Sequence, residues 1–366
     1  MVGDTNRRTV LKGTAAAGLA GLLGVSGTGL AQDQRLSWHA GGTGGTYFPL
    51  SNEFKTVIED NTDFTIQVQS TGASVENVGS LAQGSADFAL IQNDVAAFAY
   101  NGTGIDAFEG EPIESLRGVA TLYPETIHVV TRAETDIETL EDLDGATVNT
   151  GDLGSGTQVN ALQILESVGI TTDDFEEQNA SFSQAADQLR DGDIDAAFVV
   201  GGWPLGAIEE LATTTDINIV EISGDTQETV LDSQPWFAAD EIPSGTYEGV
   251  DEDVPTVSVQ AMIATTTEVP DETVATITQA IFENTDDLTI KTDFIGEDTA
   301  YDGMSIPVHP GAQEVLGSFE LEEETEDGMG NETDMGNETD MGNETEMSNE
   351  TEMSNETEMN ETTTES

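Results

Sequence analysis

Two glycine-rich stretches each follow a short apolar run and precede a segment with helical periodicity. They are residues 41–47 (GGTGGTY) and residues 151–157 (GDLGSGT). A strand-to-helix turn of this kind leaves the first N–H groups of the helix without an intrahelical acceptor, at the positive end of the helix dipole. Each loop is therefore a candidate seat for a carboxylate, and two loops favour a small anionic solute held between two α/β lobes. Two tight turns that hold no ligand are the alternative interpretation.

Polar residues at a third helix start and at a strand end extend the candidate site. We expect Ser74, in residues 70–77 (STGASVEN), to be an N-cap whose hydroxyl accepts a hydrogen bond from a first-turn N–H, and its helix could also point into the cleft. Gln92 and Asn93 can donate and accept, and with Asp94 they would lie at the carboxyl edge of the sheet, where open α/β sheets bind ligands. The alternative is that all three cap the next helix.

Residue patterns of the common enzyme and cofactor sites are missing. Neither glycine loop matches a nucleotide-binding motif, and no serine has the nucleophile-elbow context. The chain has no cysteine, and His39, His128 and His309 lack metal-ligand spacing. His39 precedes the first loop and is a weaker candidate for a solute contact, whereas His128 is expected to be a packed or surface residue. We predict a protein that is not an enzyme and has no cofactor or metal.

The charge balance is extremely acidic. Residues 32–319 hold 53 acidic and six basic side chains, and the net charge of the whole chain is −63. Repulsion among so many negative charges is screened only at high salt. We therefore predict adaptation to a hypersaline medium, as in a halophilic archaeon. Nucleic acid is excluded as a partner. Arg117 and Arg132 are the candidate ion-pair partners of a solute, but either could equally pair with neighbouring acids.

The chain divides into five predicted segments. Residues 1–31 carry Arg7-Arg8 and an apolar run of small residues, which predicts a twin-arginine export signal, cleaved or retained as an anchor. Residues 32–124 and 256–319 are predicted to form lobe 1 and residues 125–255 lobe 2. The predicted strands are residues 36–40, 64–70, 86–92, 116–131, 147–150, 196–200, 217–222 and 256–266. The predicted helices are residues 47–59, 94–100, 182–190, 205–212 and 271–282. Two further helices are predicted to begin at residue 74 and directly after the second glycine loop. Pro124 is expected to end one strand and start another, at a crossing between the lobes.

The last segment, residues 320–366, is predicted to be a disordered acidic tail. It repeats Asn-Glu-Thr-[Asp/Glu]-Met-[Gly/Ser] and has no basic residue. Six N-x-T acceptors are possible glycosylation sites, at Asn331, Asn337, Asn343, Asn349, Asn355 and Asn360. An unmodified acidic bristle is the alternative.

Several ordered motifs carry a family resemblance over residues 36 to 317. The runs GGTGGTYFPL, STGASVENVGSLAQGSADFALIQNDVAAFAYNG, LRGVATLYPETIHVV and LEDLDGATVNTGDLGSGT closely resemble the TAXI-type solute receptors of TRAP (tripartite ATP-independent periplasmic) transporters. The resemblance implies an α/β fold of the type II periplasmic-binding-protein class, with two lobes joined by a strand hinge. It implies glutamate, 2-oxoglutarate or a related dicarboxylate as solute, and delivery to TRAP membrane subunits driven by an ion gradient.

The resemblance also implies the ligand-binding residues. These are Thr46, Tyr47, Ser74, Gln92, Tyr123, Ser155, Gly156 and Thr157, with Trp203 as a weaker candidate for the cleft wall. We expect an extracytoplasmic receptor, at the outer cell surface or secreted, that works as a monomer. Two other classes remain open: a binding protein of another uptake or chemosensory system, and an exported α/β enzyme acting on a small acid.

Overall fold

The computed structural model describes residues 34–321, which form two α/β lobes on one continuous sheet. The strands are β1 (Arg35–His39), β2 (Thr65–Gln69), β3 (Phe88–Gln92), β4 (Leu116–Arg132), β5 (Thr147–Asn149), β6 (Glu176–Gln178), β7 (Ala196–Gly201), β8 (Ile217–Ile219), β9 (Ala238–Ile242) and β10 (Val254–Thr266). Their order is β2-β1-β3-β10-β4-β7-β5-β6, with β8 paired to β4 and β9 to β10. The helices are α1 (Tyr47–Asn61), α2 (Ser74–Ala82), α3 (Asn93–Asn101), α4 (Gly156–Ser167), α5 (Phe182–Asp191), α6 (Gly206–Ala212), α7 (Gly224–Ser233), α8 (Asp271–Phe282) and α9 (Pro310–Leu316).

Lobe 1 is built on the parallel strands β1, β2 and β3, with α1, α2, α3, α8 and α9 around them. Helix α1 forms because its apolar residues recur at helical spacing and bury one face, including Leu50 and Phe54. Trp38 of β1 stacks on Phe88 of β3 with ring centroids 5.4 Å apart and meets Phe54 edge-on at 5.8 Å. This aromatic group fixes α1 against the sheet, so the loop between β1 and α1 has a defined position.

Lobe 2 is built on β5, β6 and β7, which run parallel to one another. Two apolar clusters form its core; one is centred on α4 and Phe198, and the other on α5, α6 and Val199. Phe198 and Val199 are neighbours on β7 and therefore point to opposite faces of the sheet. Helices consequently cover both faces, which is typical of parallel sheets.

Two long strands, β4 and β10, pair antiparallel with each other and belong to both lobes. The prediction that Pro124 breaks β4 is wrong, because β4 is one strand from Leu116 to Arg132. The pairing register shifts beside the proline: Gln260 lies opposite Pro124 but Met262 lies opposite Thr121, so β4 carries one extra residue there. Such a bulge accommodates the missing proline N–H without ending the strand.

Two α/β lobes joined by paired strands confirm the predicted fold class. All the predicted strands and helices match observed elements to within a few residues at each end, namely strands β1 to β5, β7, β8 and β10 and helices α1 to α6 and α8. The elements β6, α7, β9 and α9 were not predicted. The division of the chain at residues 124 and 255 stays a prediction. The predicted export signal lies outside the described residues. So do residues 322–366 of the predicted tail, which include its glycosylation sites. None of the helices in residues 34–321 combines the length and the apolar character that a membrane span requires.

Candidate functional site

A cavity of about 140 Å³ lies between the lobes. Four helices begin at its wall: α1 and α2 from lobe 1, and α4 and α5 from lobe 2. First-turn N–H groups have no acceptor within their own helix, and the helix dipole places partial positive charge at that end. The cavity is therefore polar and electropositive along its main chain. Its lining residues are Gly41, Gly42, Thr43, Gly44, Gly45, Thr46, Tyr47, Gly72, Ala73, Ser74, Gln92, Glu125, Asp152, Ser155, Gly156, Thr157, Ser181, Phe182, Ser183 and Val200.

The first glycine loop lines the cavity and also contacts lobe 2. The Thr46 hydroxyl donates to the main-chain oxygen of Gly202 at 3.0 Å, and the Ala207 N–H donates to the oxygen of Gly44 at 3.3 Å. A β-carbon on Gly44 would stand 2.7 Å from the Ser183 hydroxyl oxygen. A side chain at position 44 would therefore displace the Ser183 hydroxyl, because lobe 2 approaches the main chain closely there.

The second glycine loop leads into a capped helix. Gly151 and Gly154 have φ values of 103° and 77°, a region that side chains disfavour, so the turn requires glycine at both positions. Ser155 is the N-cap of α4, and its hydroxyl accepts the N–H of Gln158 at 3.1 Å. The cap satisfies that one donor and leaves the N–H groups at the very start of α4 on the cavity wall.

Ser74 lies on the cavity wall, but its predicted capping role is wrong. It is the first residue of α2, after Ala73, whose φ of 69° turns the chain into the helix. Its hydroxyl accepts the main-chain N–H of Gln92 at 3.2 Å instead of a first-turn donor. Ser74 thereby ties the start of α2 to the end of β3.

The residues Gln92-Asn93-Asp94 have separate roles. Asn93 bonds to the C-terminal part of lobe 1, through its Nδ2 to the oxygen of Gly303 at 3.1 Å. The Gln92 side chain points toward the other lobe, where its Nε2 donates to Glu125 Oε2 at 2.9 Å and to Asn160 Oδ1 at 3.0 Å. Gln92 lines the cavity, whereas Asn93 and Asp94 do not.

Glu125 lines the cavity, and sequence reasoning missed it. The carboxyl is buried and has three donors around it: Tyr47 Oη at 3.2 Å from Oε2, Tyr123 Oη at 3.2 Å from Oε1, and the Gln92 amide. Burial raises its pKa to about 8 despite these bonds. Glu125 therefore carries a proton at neutral pH and does not oppose an anionic solute. Among 53 acids between residues 32 and 319, nothing in the sequence marked this one.

Two predicted residues lie beside the cavity instead of on its wall. Tyr123 is buried behind Glu125 and holds its Oε1. Trp203 is half-buried, and its main-chain oxygen accepts a hydrogen bond from Lys291 Nζ. The other seven predicted residues line the cavity: Thr46, Tyr47, Ser74, Gln92, Ser155, Gly156 and Thr157. Their contact with a ligand stays a prediction.

No basic side chain lines the cavity among the residues the structure describes. Arg117 donates to the main-chain oxygens of Glu114 and Leu116, and Arg132 to those of Leu189 and Ile194, so both bond to the main chain outside the cavity. Lys291 lies beside Tyr123 and Trp203, and its Nζ is 4.7 Å from the centroid of the Trp203 ring. Burial lowers the pKa of Lys291 to about 8.

The ring nitrogens of His128 and His309 make hydrogen bonds within the fold, whereas those of His39 do not. His39 is buried at the end of β1 outside the cavity wall, and neither of its ring nitrogens has a polar partner in the described part of the chain. His128 is fully buried between the oxygen of Thr126 and the hydroxyl of Tyr247, each at 3.0 Å. His309 accepts the Gly311 N–H at the start of α9. Residues 34–321 contain no group of three side chains able to hold a metal ion.

Several solved structures of binding proteins match this chain at low sequence identity. The alkanesulfonate-binding protein of Xanthomonas axonopodis pv. citri bound to MOPS is 13% identical, with 77% of this chain and 83% of that chain covered and a TM-score of 0.42. The periplasmic aliphatic sulphonate binding protein of Escherichia coli is 13% identical, with 75% and 80% covered and a TM-score of 0.40. Holo ArgBP from T. maritima is 13% identical, with 67% and 87% covered and a TM-score of 0.42.

A protein-family model gives the direct assignment. It is described as the NMT1-like family, and it matches residues 39–316. The match begins just before the first glycine loop and ends in α9, so it includes both lobes and every residue of the cavity wall. The chain belongs to the NMT1-like family.

Proposed function

We propose that this protein is an extracytoplasmic solute receptor that binds a small organic anion between its two lobes. The observation that carries the proposal is the cavity at which four helices begin, two from each lobe. An anion placed there would accept main-chain N–H bonds from both lobes at once. The solute would thereby favour the state in which the lobes are together, by its differential affinity for that state.

The size of the cavity limits the solute. One water molecule needs roughly 10–15 Å³ of such space. A volume of about 140 Å³ therefore suits a solute of about ten non-hydrogen atoms. Glutamate, 2-oxoglutarate and related dicarboxylates are of this size.

The charges of the wall suit an anion held without a basic side chain. The protonated Glu125 adds no negative charge at neutral pH. The side chains of Thr43, Ser183 and Thr157 add hydroxyl groups to the main-chain donors. Hydrogen bonds from fixed dipoles can hold a desolvated anion strongly, because water does not compete for them.

The transport system follows from the resemblance of the glycine-loop motifs to TAXI-type receptors. On that basis the protein delivers its solute to TRAP membrane subunits for uptake driven by an ion gradient. A receptor of this kind works outside the cytoplasm, at the cell surface or secreted, which agrees with the export signal predicted for residues 1–31.

A thermal-shift screen of amino acids, 2-oxo acids and dicarboxylates in molar salt tests the proposal. A ligand at about a hundred times its Kd should add about 2.7 kcal/mol to the free energy of unfolding. Thr157→Val removes one wall hydroxyl and should weaken binding about tenfold, since a hydrogen bond to a charged group contributes roughly 1.5–3 kcal/mol. The control Thr276→Val, on α8 away from the cavity, should bind as the wild type does.

Three outcomes would point elsewhere. If no acid in the panel stabilises the protein, the anion-receptor proposal is wrong. Capture of an ATP-driven permease or a sensory protein, in place of TRAP subunits, would assign the receptor to another system. A changed mass of the bound solute after incubation would indicate an enzyme.

A further inference from the structure

A chain of buried polar side chains begins on the cavity wall and joins the two lobes. It runs from Glu125 on β4 through Gln92 of lobe 1 to Asn160 on α4 of lobe 2, and Asn160 Nδ2 returns to Asp94 Oδ2 of lobe 1 at 2.8 Å. All four side chains are buried, and Asn160 and Asp94 are fully buried. Every bond that Asn160 makes in this chain crosses from lobe 2 to lobe 1.

The two acids of this chain have no cationic hydrogen-bond partner. Asp94 Oδ1 has no hydrogen-bond partner in the part of the chain that the structure describes. Asp94 Oδ2 accepts a hydrogen bond from the Asn160 amide, and the donors around Glu125 are Gln92, Tyr47 and Tyr123. A buried carboxylate without a cation is costly, so such a group holds a proton instead.

Neighbouring titratable groups do not stabilise the ionised forms of Asp94 and Glu125. Asp94 adds negative charge near Glu125, and the phenols of Tyr47 and Tyr123 stay neutral because their pKa values are raised. Lys291 lies near enough for Glu125 to act on it, but its ammonium bonds to Trp203 and packs over its ring. Burial raises the pKa of Asp94 to about 7 and that of Glu125 to about 8.

The bonds of Asn160 to Gln92 and Asp94 exist only while the lobes touch, and Glu125 lies on the wall of the cavity that opens when they part. Separating them would remove Asn160 from Asp94 and Gln92 and admit water along the start of α4. In water a carboxyl group titrates near pH 4 and is ionised at neutral pH. The two states therefore differ in the number of protons that they hold.

We propose that Glu125 and Asp94 are a protonated latch, so that closure of the lobes on a solute takes up protons. This inference rests on the proposed function, because solute binding drives the closure. A rise in pH makes each proton harder to supply and therefore weakens solute binding. The dependence should extend from about pH 4, where both states are protonated, to about pH 8, above which neither holds the protons.

The deciding experiment measures proton uptake with the solute found in the screen. Calorimetry at about pH 6.5 in buffers of different ionisation heat should show uptake of one to two protons per solute, because both acids ionise only in the open state. Solute affinity should be at least about tenfold weaker at about pH 9 than at about pH 6, since each pKa unit of difference changes the closing equilibrium about tenfold. High salt leaves the effect in place because buried groups are poorly screened.

Variants separate the latch from the surface acids. Asp94→Asn, which does not touch the cavity, should roughly halve the proton uptake, and Asp94→Asn/Glu125→Gln should abolish both the uptake and the pH dependence. The control Asp106→Asn/Glu109→Gln removes two exposed carboxylates and should behave as the wild type. Solute binding without proton uptake, or uptake that persists in the double amide variant, would overturn the latch and leave the receptor function standing.

A measurement without solute keeps the two proposals distinct. The latch predicts that the wild-type radius of gyration from small-angle scattering is smaller at low than at high pH, and that the double amide variant loses this difference. If no solute binds, the receptor proposal fails and this comparison decides the latch. An equal radius of the wild type at both pH values would then overturn it.

Discussion

The side-chain oxygen of Gln92 stands 1.6 Å from the point that a β-carbon on Gly156 would occupy. Lobe 1 thus fills the space above the first residue of α4. Gln92 cannot move away without breaking its bonds to Glu125 and Asn160. Gly156→Ala should therefore hold the lobes apart and weaken solute binding at least about tenfold, given roughly 1 kcal/mol for each bond broken. Calorimetry measures the affinity.

A matched glycine substitution controls for this change. Gly79 lies within α2, and a β-carbon there meets nothing closer than 3.9 Å. Gly79→Ala should leave solute affinity unchanged and raise the free energy of unfolding by about 0.5–1 kcal/mol, as alanine does in a helix. Wild-type affinity in Gly156→Ala would show that the contact with Gln92 is not needed for closure.

Lys291 should hold the closed lobes together through its contacts with Trp203. Lys291→Met keeps the apolar stem but removes the bond to the Trp203 oxygen and the cation over the ring. In the wild type, the cost of burying the ammonium offsets part of the stabilisation that these two contacts give. We therefore expect Lys291→Met to lose about 1 kcal/mol of this stabilisation and to bind the solute about fivefold more weakly. Arg190→Gln removes an exposed cation of lobe 2 as a control. Equal affinities of the two variants would contradict a role for Lys291.

His128 should weaken the fold in acid. Burial lowers its pKa to about 4, so below about pH 6.5 the unfolded chain binds a proton that the folded chain does not. The stability that His128 contributes is therefore present above about pH 6.5 and falls by about 2–3 kcal/mol as the pH drops to about 4. Glu125 and Asp94 affect stability with the opposite sign, but they do so equally in the wild type and in His128→Gln. The difference in unfolding free energy between these two proteins therefore isolates the loss from His128.

Tyr247→Phe distinguishes titration of the imidazole from loss of its hydrogen bond. This variant removes the hydroxyl that contacts His128 but keeps the buried ring. Its acid-induced loss of stability should remain while that of His128→Gln disappears. A loss of the same size in all three proteins would assign the acid sensitivity to other groups.

Salt should stabilise the whole domain. With 53 acids and six basic residues between positions 32 and 319, repulsion dominates in dilute buffer. Between about 0.1 M and about 1 M KCl the Debye length falls from about 10 to about 3 Å, so the melting temperature should rise. Scanning calorimetry measures it, and potassium chloride is preferred to sulfate because sulfate also strengthens apolar burial. An unchanged melting temperature would contradict the predicted adaptation to brine.

The cavity wall could be predicted where local main-chain geometry determines it. Glycine loops and helix starts are short-range features, so the sequence predicts that both loops belong to one site, and their residues Thr46, Ser155, Gly156 and Thr157 line one cavity. Elements such as α1 were equally accessible, because a buried face with helical spacing leaves a clear pattern.

Contacts between distant segments could not be predicted in this way. Glu125 acquires its raised pKa from burial beside Tyr47 and Gln92, which lie 78 and 33 residues away in the chain, and Lys291 meets Trp203 across 88 residues. Helix α7 escaped prediction because its acidic sequence buries only Val230. In a chain this rich in carboxylates, composition hides the few that are buried.

The position of β10 sets the order in which the molecule can assemble on the ribosome. Residues Val254–Thr266 fill the gap between β3 and β4, so the N-terminal half of the sheet stays split until these residues are synthesised. The segment between β4 and β10 can form its own apolar core first. During this time the sheet of β1, β2 and β3 has one unpaired edge. A nascent chain therefore depends on protection of that edge, and a truncation before residue 254 would leave it open to pairing with other chains.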